Sequence, residues 1–188
     1  MKIGNLFISL LLVLTTFTSC SKDDEEEYEP MVASAPSNSL LIEIVDGKGE
    51  IADYEKLLSE GKLSVIGQSS KQEKKIRITN YQGKKVIDTS ADLPDQKHMV
   101  FNTDKTEGHG KTDLLMEIDG KKFTLSVNFD FHSASEPDLI GCSSIHIKDI
   151  EYDGKTITPT EYLSIYSIRI ILTDDKPIIE PLQQKRVK

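Results

Sequence analysis

Residues 114–131 read Leu-Leu-Met-Glu-Ile-Asp-Gly-Lys-Lys-Phe-Thr-Leu-Ser-Val-Asn-Phe-Asp-Phe. From Phe123 onward every second residue is apolar: Phe123, Leu125, Val127, Phe129 and Phe131 alternate with Thr124, Ser126, Asn128 and Asp130. A strict period of two is the mark of a strand with one buried face. The residues before it alternate as well, and Asp119-Gly120 between them is the strongest short hairpin signal, because both loop residues must take positive φ. With those two as the loop, Met116 faces Phe123 and Leu114 faces Leu125 on the core side. Glu117 then faces Lys122 on the wet side, an opposite-charge pair that adds some tenths of a kcal/mol. Pattern, turn chemistry and charge agree on one hairpin.

Working outward, further strands are expected at 40–45, 63–66, 76–79, 85–87, 99–103, 144–150 and 165–172. In the last, Tyr166, Ile168, Ile170 and Leu172 share a face, with Ser167 and Arg169 opposite. Asp-Gly-Lys recurs at Asp46, Asp119 and Asp153, and Gln82-Gly83 is a similar turn. The unequal spacings make this repeated turn chemistry, not an internal repeat. Residues 51–61 carry the one helical pattern. Ile51, Tyr54, Leu57 and Leu58 line one side and Gly61 ends it. About nine short strands and little helix predict an all-β fold, an antiparallel β-sandwich of immunoglobulin-like or related Greek-key type. A closed barrel is the alternative.

The body, about 40–181, has the length of one domain. At that size it needs no covalent staples. Of the two cysteines, Cys142 stands in Ile-Gly-Cys-Ser-Ser, where a small buried hydrophobe at a strand entry is expected. Lys and Arg number 23 against 31 Asp and Glu. The acids concentrate near the start: residues 20–29 hold six acids and one lysine. No basic stripe exists for nucleic acid to follow.

Few residues point to chemistry. His109 lies in 104–113, a polar, glycine-flanked stretch expected to be a loop. His132 follows the long strand, His146 faces outward beside Lys148, and His98 precedes Met99. No Cys or His pair has zinc spacing, so neither a metal nor a cofactor is expected. Asp46-Gly-Lys-Gly-Glu50 reads as a turn and not as a calcium loop. No Gly-x-Ser-x-Gly and no phosphate-cradling loop occurs, so no catalytic residue is nominated. There is no Trp; Tyr81, Tyr152 and Tyr162 are the candidate aromatic platforms for a sugar or a protein surface.

The first thirty residues place this body. Lys2 precedes an apolar core from Ile3 to Leu14, and Thr15 to Ser19 form a small, polar cleavage region. This is the three-part plan of a secretory signal, and the apolar run is too short to span a bilayer comfortably. Phe17-Thr18-Ser19-Cys20 resembles the bacterial lipobox, although Phe17 stands where Leu is usual. Ser21-Lys22-Asp23-Asp24-Glu25 is similar to the acidic tract that follows the lipidated cysteine in surface lipoproteins of Bacteroidota. The likeness covers residues 17–27. It implies cleavage after Ser19, a diacylglycerol thioether and a palmitate-type acyl chain on Cys20, and outer-membrane anchoring. The cell surface is the expected side and the periplasmic face the alternative.

The expected organisation is therefore a lipoprotein signal at 1–19, an acidic flexible tether at 20–38 and a β-sandwich at 39–188. Like charges and proline keep such a tether extended. The expected function is a membrane-anchored, non-catalytic binding or accessory module for protein or glycan, with contacts carried by 104–113 and 132–141. A hydrolase whose acids or histidines converge only in the fold, and a structural envelope component, are the alternatives.

Overall fold

The computed structural model of the chain describes residues 27–134 and 142–183. The signal segment, Cys20 and residues 135–141 of the second expected contact loop lie outside the described residues. Two sheets pack face to face, as the alternation predicts. The first has the order β1 (Ala35–Ser37), β10 (Ser143–Tyr152), β9 (Lys121–Ser133), β8 (Glu107–Ile118), β3 (Leu63–Gly67), β4 (Gln72–Glu73). To it β11 (Lys155–Ile157) adds beside β10, and β7 (Val100–Phe101) beside β8. The second has the order β12 (Thr160–Tyr162), β13 (Ile165–Leu172), β2 (Ser39–Asp46), β6 (Lys84–Ser90), β5 (Arg77–Tyr81), with β14 (Ile178–Pro181) beside β13. Most neighbours are antiparallel, but β1 with β10 and β2 with β13 are parallel. Both parallel pairs join strands far apart in sequence, as parallel pairing requires.

The β8–β9 hairpin has the predicted register: Met116 opposes Phe123, Leu114 opposes Leu125 and Glu117 opposes Lys122. Asp119 and Gly120 take φ of 47° and 81°, and Lys122 Nζ lies 3.1 Å from Glu117. The inward residues of β8, β9 and β10 meet Ile42, Ile44, Ile87, Ile168 and Ile170 from the other sheet in one core. Each such side chain contributes about 1.5–3 kcal/mol on burial.

Helix α1 (Tyr54–Ser59) forms within the expected helical stretch. Asp53 caps it, accepting from the Lys56 amide at 3.1 Å, and Gly61 follows at φ 66°. Tyr54 is fully buried and Leu57 and Leu58 pack on the core, whereas Ile51 is exposed. Ile51 bridges Val45 before the helix begins, so it never joins the helical face. The β2–β6 ladder runs from Ser39 to Ile42; continued, its register would pair Ile44 with Lys85. The Tyr54 hydroxyl occupies that gap. It accepts from the Ile44 amide at 2.9 Å and reaches the Lys85 carbonyl at 3.2 Å.

The later part of the expected tether is held on the body. Tyr28 donates to the Leu93 carbonyl at 2.7 Å. The Gln96 amide donates to Glu29 and the Met31 amide to Pro94, at 2.7 and 2.8 Å. Met31 is buried and Ala33 packs beside it. The Ser34 amide reaches Ser143 Oγ, and β1 then pairs with β10. Residues 28–34 thus form a strap that crosses one end of the sandwich, and the freely extending reach expected for 20–38 does not include them. Burial of the Tyr28 phenol, then Asp92 and Asp95 nearby, push its pKa up to about 12.

Two buried carboxylates are paired. Asp92, 4% exposed, accepts from Lys74 and from the Ser70 amide; a Cβ on Gly67 would occupy its place. Glu43, 2% exposed on the outer face of the second sheet, pairs with Arg169 and Lys84. Leu182, returning after β14, packs with Leu41 and Val86 on that same face.

Candidate polar groove on the first sheet

Strand alternation sends Asn128 and Asp130 of β9 outward, away from the core. On the flanking strands the same rule exposes His109 and Lys111 of β8 and His146 of β10. In β10 the register slips between Ile147 and Asp149. This bulge adds one residue, so Lys148 and Asp149 both reach the outer face. All of these except His146, together with His98, Val100 and Glu151, line a groove of about 440 Å³. Its floor includes Gly110 and Phe129.

The lining is a chain of paired charges. His109 Nδ1 is 3.3 Å from Asp130 Oδ1, and Lys148 Nζ is 3.4 Å from the same oxygen. Asn128 Nδ2 donates to both Asp149 and Glu151, at 2.6 and 3.1 Å, so those two carboxylates are close neighbours. Lys111 Nζ donates to Glu151 at 3.1 Å. The bonds from Lys111 and then Asn128 hold the Glu151 carboxyl below the usual range. His109 is 66% exposed, so its pair with Asp130 is solvated and contributes little to stability.

The four histidines of the chain share this region. His109, Asp130 and His146 form one cross-strand row, since Asp130 opposes both histidines. His132, in the next row of β9, stacks on His146 with ring centroids 5.5 Å apart and planes 11° apart. His98 lines the groove from the 3-10 turn Gln96–His98. Stacked rings do not converge on a common point. Among the described residues no group of three or more His, Cys, Asp or Glu is placed to hold a metal ion.

Three expectations about this region change. The stretch 104–113 is mostly strand: β8 begins at Glu107, and His109 pairs across the ladder. The flanking glycines do not make it a loop. A Cβ on Gly110 would overlap Met99 and Pro94, and one on Gly108 would overlap Phe101. They are small because the segment 94–101 lies directly on them. For the same reason the strand expected at 99–103 contracts to Val100–Phe101, after the 3-10 turn. Cys142 is exposed, not buried. Its carbonyl accepts from Ala134 at 3.0 Å, a position just outside β10 and past the end of the core.

The tyrosine platforms separate. Tyr81 packs beside the Leu41–Val86–Leu182 cluster, and its hydroxyl is buried. Tyr152 meets Phe123 edge-on at 5.7 Å, beside a second groove of about 420 Å³ that Lys121, Asp153 and Lys176 also line. Tyr162 is exposed.

Fold and groove together define an all-β sandwich with an open, polar, hydrogen-bonding surface built on strands. In comparison with known proteins, the chain matches no family model, no curated protein and no solved structure. Among the described residues no helix is long and apolar enough to cross a membrane.

Proposed function

We propose that the chain is a lipid-anchored lipoprotein of the cell envelope, attached through Cys20 at the outer membrane and facing the cell surface, whose sandwich is a non-catalytic binding module. The groove supports this reading. Carboxylates, an amide, lysines and histidines stand side by side on rigid strands, held in place by one another. Such a surface offers acceptors and donors within one hydroxyl group's reach. Of the two ligand classes, glycan and protein, it suits a hydroxyl-rich glycan better.

A hydrolase would draw on the same groups, since Asp149 and Glu151 are close enough to share one amide donor. A general acid, however, needs a raised pKa. Glu151 is shifted the other way, by Lys111 and Asn128. That suits Glu151 to hydrogen-bond acceptance and rules it out as the proton donor of such a pair.

Two measurements test the proposal. Metabolic palmitate labelling of the native organism labels the wild-type protein and not Cys20→Ala. On an array of envelope and dietary oligosaccharides the protein binds a glycan. Asn128→Ala, which frees Asp149 from its amide donor and leaves Glu151 to Lys111 alone, weakens that binding about tenfold (about 1.4 kcal/mol) while the unfolding midpoint stays within a degree or two. Turnover of an arrayed glycan, or binding indifferent to Asn128, overturns the groove reading.

A further inference from the structure

The two most exposed large apolar side chains among the described residues are Val32 and Leu163, each at 77%. Both lie at the same end of the sandwich. Val32 is on the strap, between Met31, bonded to Pro94, and Ser34, bonded to Ser143. Leu163 is at the tip of the β12–β13 hairpin. Parallel pairing sets Tyr166 beside Leu40, so the hairpin tip is level with the start of β2. Tyr162, half-exposed, stands next to it.

The tip is chemically unusual. Leu163 and Ser164 take φ of 50° and 60°, the two positive values of a tight hairpin turn. Asn-Gly or Asp-Gly fills such turns, as at Asp119-Gly120 and Asp153-Gly154 in this chain. A leucine there carries a backbone cost of roughly 1–2 kcal/mol. It also puts an isobutyl group into water, and neither cost is offset by packing within the protein.

The chain's route to Cys20 leaves from this end. Glu27 lies against Lys97, in the segment leading to β7, and β7 pairs with the first residues of β8. Seven residues from Cys20 to Glu27 span at most about 25 Å. The thirteen residues of β9 make the sandwich roughly 40 Å long. The far end, with the turns at Asp119 and Asp153, therefore cannot come down onto a bilayer that holds Cys20 while the body stands upright. The strap end can.

We infer that this end is a bilayer-contacting surface: Val32, Tyr162 and Leu163 sit in the interfacial layer of the membrane that holds the lipid anchor. The inference rests on the anchoring of Cys20 proposed above. It sets the strands roughly upright on the membrane, with the polar groove facing sideways and the Asp119 and Asp153 turns pointing away. The strap end, with the turn at 103–106, faces the lipid rather than the medium.

The chain contains no Trp, so single substitutions report cleanly. Full-length lipoprotein carrying Leu163→Trp, Val32→Trp or, at the far end, Lys155→Trp is reconstituted into vesicles. These contain phosphatidylethanolamine and phosphatidylglycerol, with or without bromine on the acyl chains. Palmitate labelling is checked on each sample. The surface assignment expects blue-shifted emission for Leu163→Trp and Val32→Trp, quenched about twofold by bromine because these side chains reach into the acyl boundary. Lys155→Trp stays unshifted and unquenched. Labelled protein in which all three are equally unquenched overturns the surface. So does a blue shift at Leu163 without bromine quenching, which signals cover by protein instead of lipid. Unlabelled protein overturns the anchor itself and removes the basis of the inference with it.

Discussion

Replacing Tyr54 by Phe removes one oxygen from a fully buried position and leaves the ring in place. That oxygen fills the opening between β2 and β6, where the Ile44 amide and the Lys85 carbonyl would otherwise meet. Without it the Ile44 amide is buried with no acceptor, which costs about 1–3 kcal/mol, and the Lys85 carbonyl loses a donor worth about 1 kcal/mol. The expected loss is about 2–4 kcal/mol. For a body of this size each kcal/mol moves the midpoint by roughly 2–4 °C, so the variant should melt about 5–15 °C lower. Urea unfolding followed by far-ultraviolet circular dichroism gives the same quantity, with an unchanged m-value. Hydrogen exchange at the Ile44 amide should accelerate in step. A variant within about 0.5 kcal/mol of wild type, with Ile44 still protected, would mean that the strands close over the gap unaided, and the reasoning would be wrong.

Gly110→Ala places a methyl group where Met99 and Pro94 lie; overpacking of this kind costs about 1–3 kcal/mol, measurable by urea titration, although nothing in the local backbone forbids alanine. Glu43→Ala leaves Lys84 on a largely dry surface without its carboxylate, whereas Arg169 keeps Glu180 at 3.2 Å; the expected cost is about 3 kcal/mol, the low end of the range for breaking a buried pair. In a tyrosine absorbance titration, Tyr28 and Tyr166 ionise near 12: burial raises both, helped by Asp92 and Asp95 at Tyr28 and by Glu161 at Tyr166. The unfolded chain gives up these protons near pH 10 and the folded one holds them to about 12, so their stabilising contribution is complete below pH 10 and declines as pH rises through that interval. Denaturation midpoints that stay flat from pH 10 to 12 would contradict it.

The hairpin at 114–131 was legible because three local rules converged on it: alternation, turn chemistry and cross-strand charge. Where a single local rule was read alone it misled. Glycines around His109 suggested a loop, but they record the close passage of the segment 94–101, a contact no local pattern announces. Cys142 carried the signal of a small hydrophobe, yet burial depends on where the core stops, and the core stops before it. The strap was hidden by its neighbours: the acidic run 23–27 precedes it and Pro30 and Pro36 interrupt any pattern, while the few residues that dock it, Tyr28, Met31 and Ala33, are too sparse to form a period.

The groove belongs to a different category. His98, His109, Asn128, Asp130, Lys148 and Glu151 were visible as types, and alternation placed several on outward faces. Their meeting needed the order of β8, β9 and β10 and the bulge that brings Asp149 beside Asn128. Periodicity along a strand is a one-dimensional property, set by the pleat, and the chain carries it wherever it folds. Which strand lies beside which, where a sheet ends and which end the amino-terminal segment crosses are set by core packing between distant residues, and only the tertiary structure decides them.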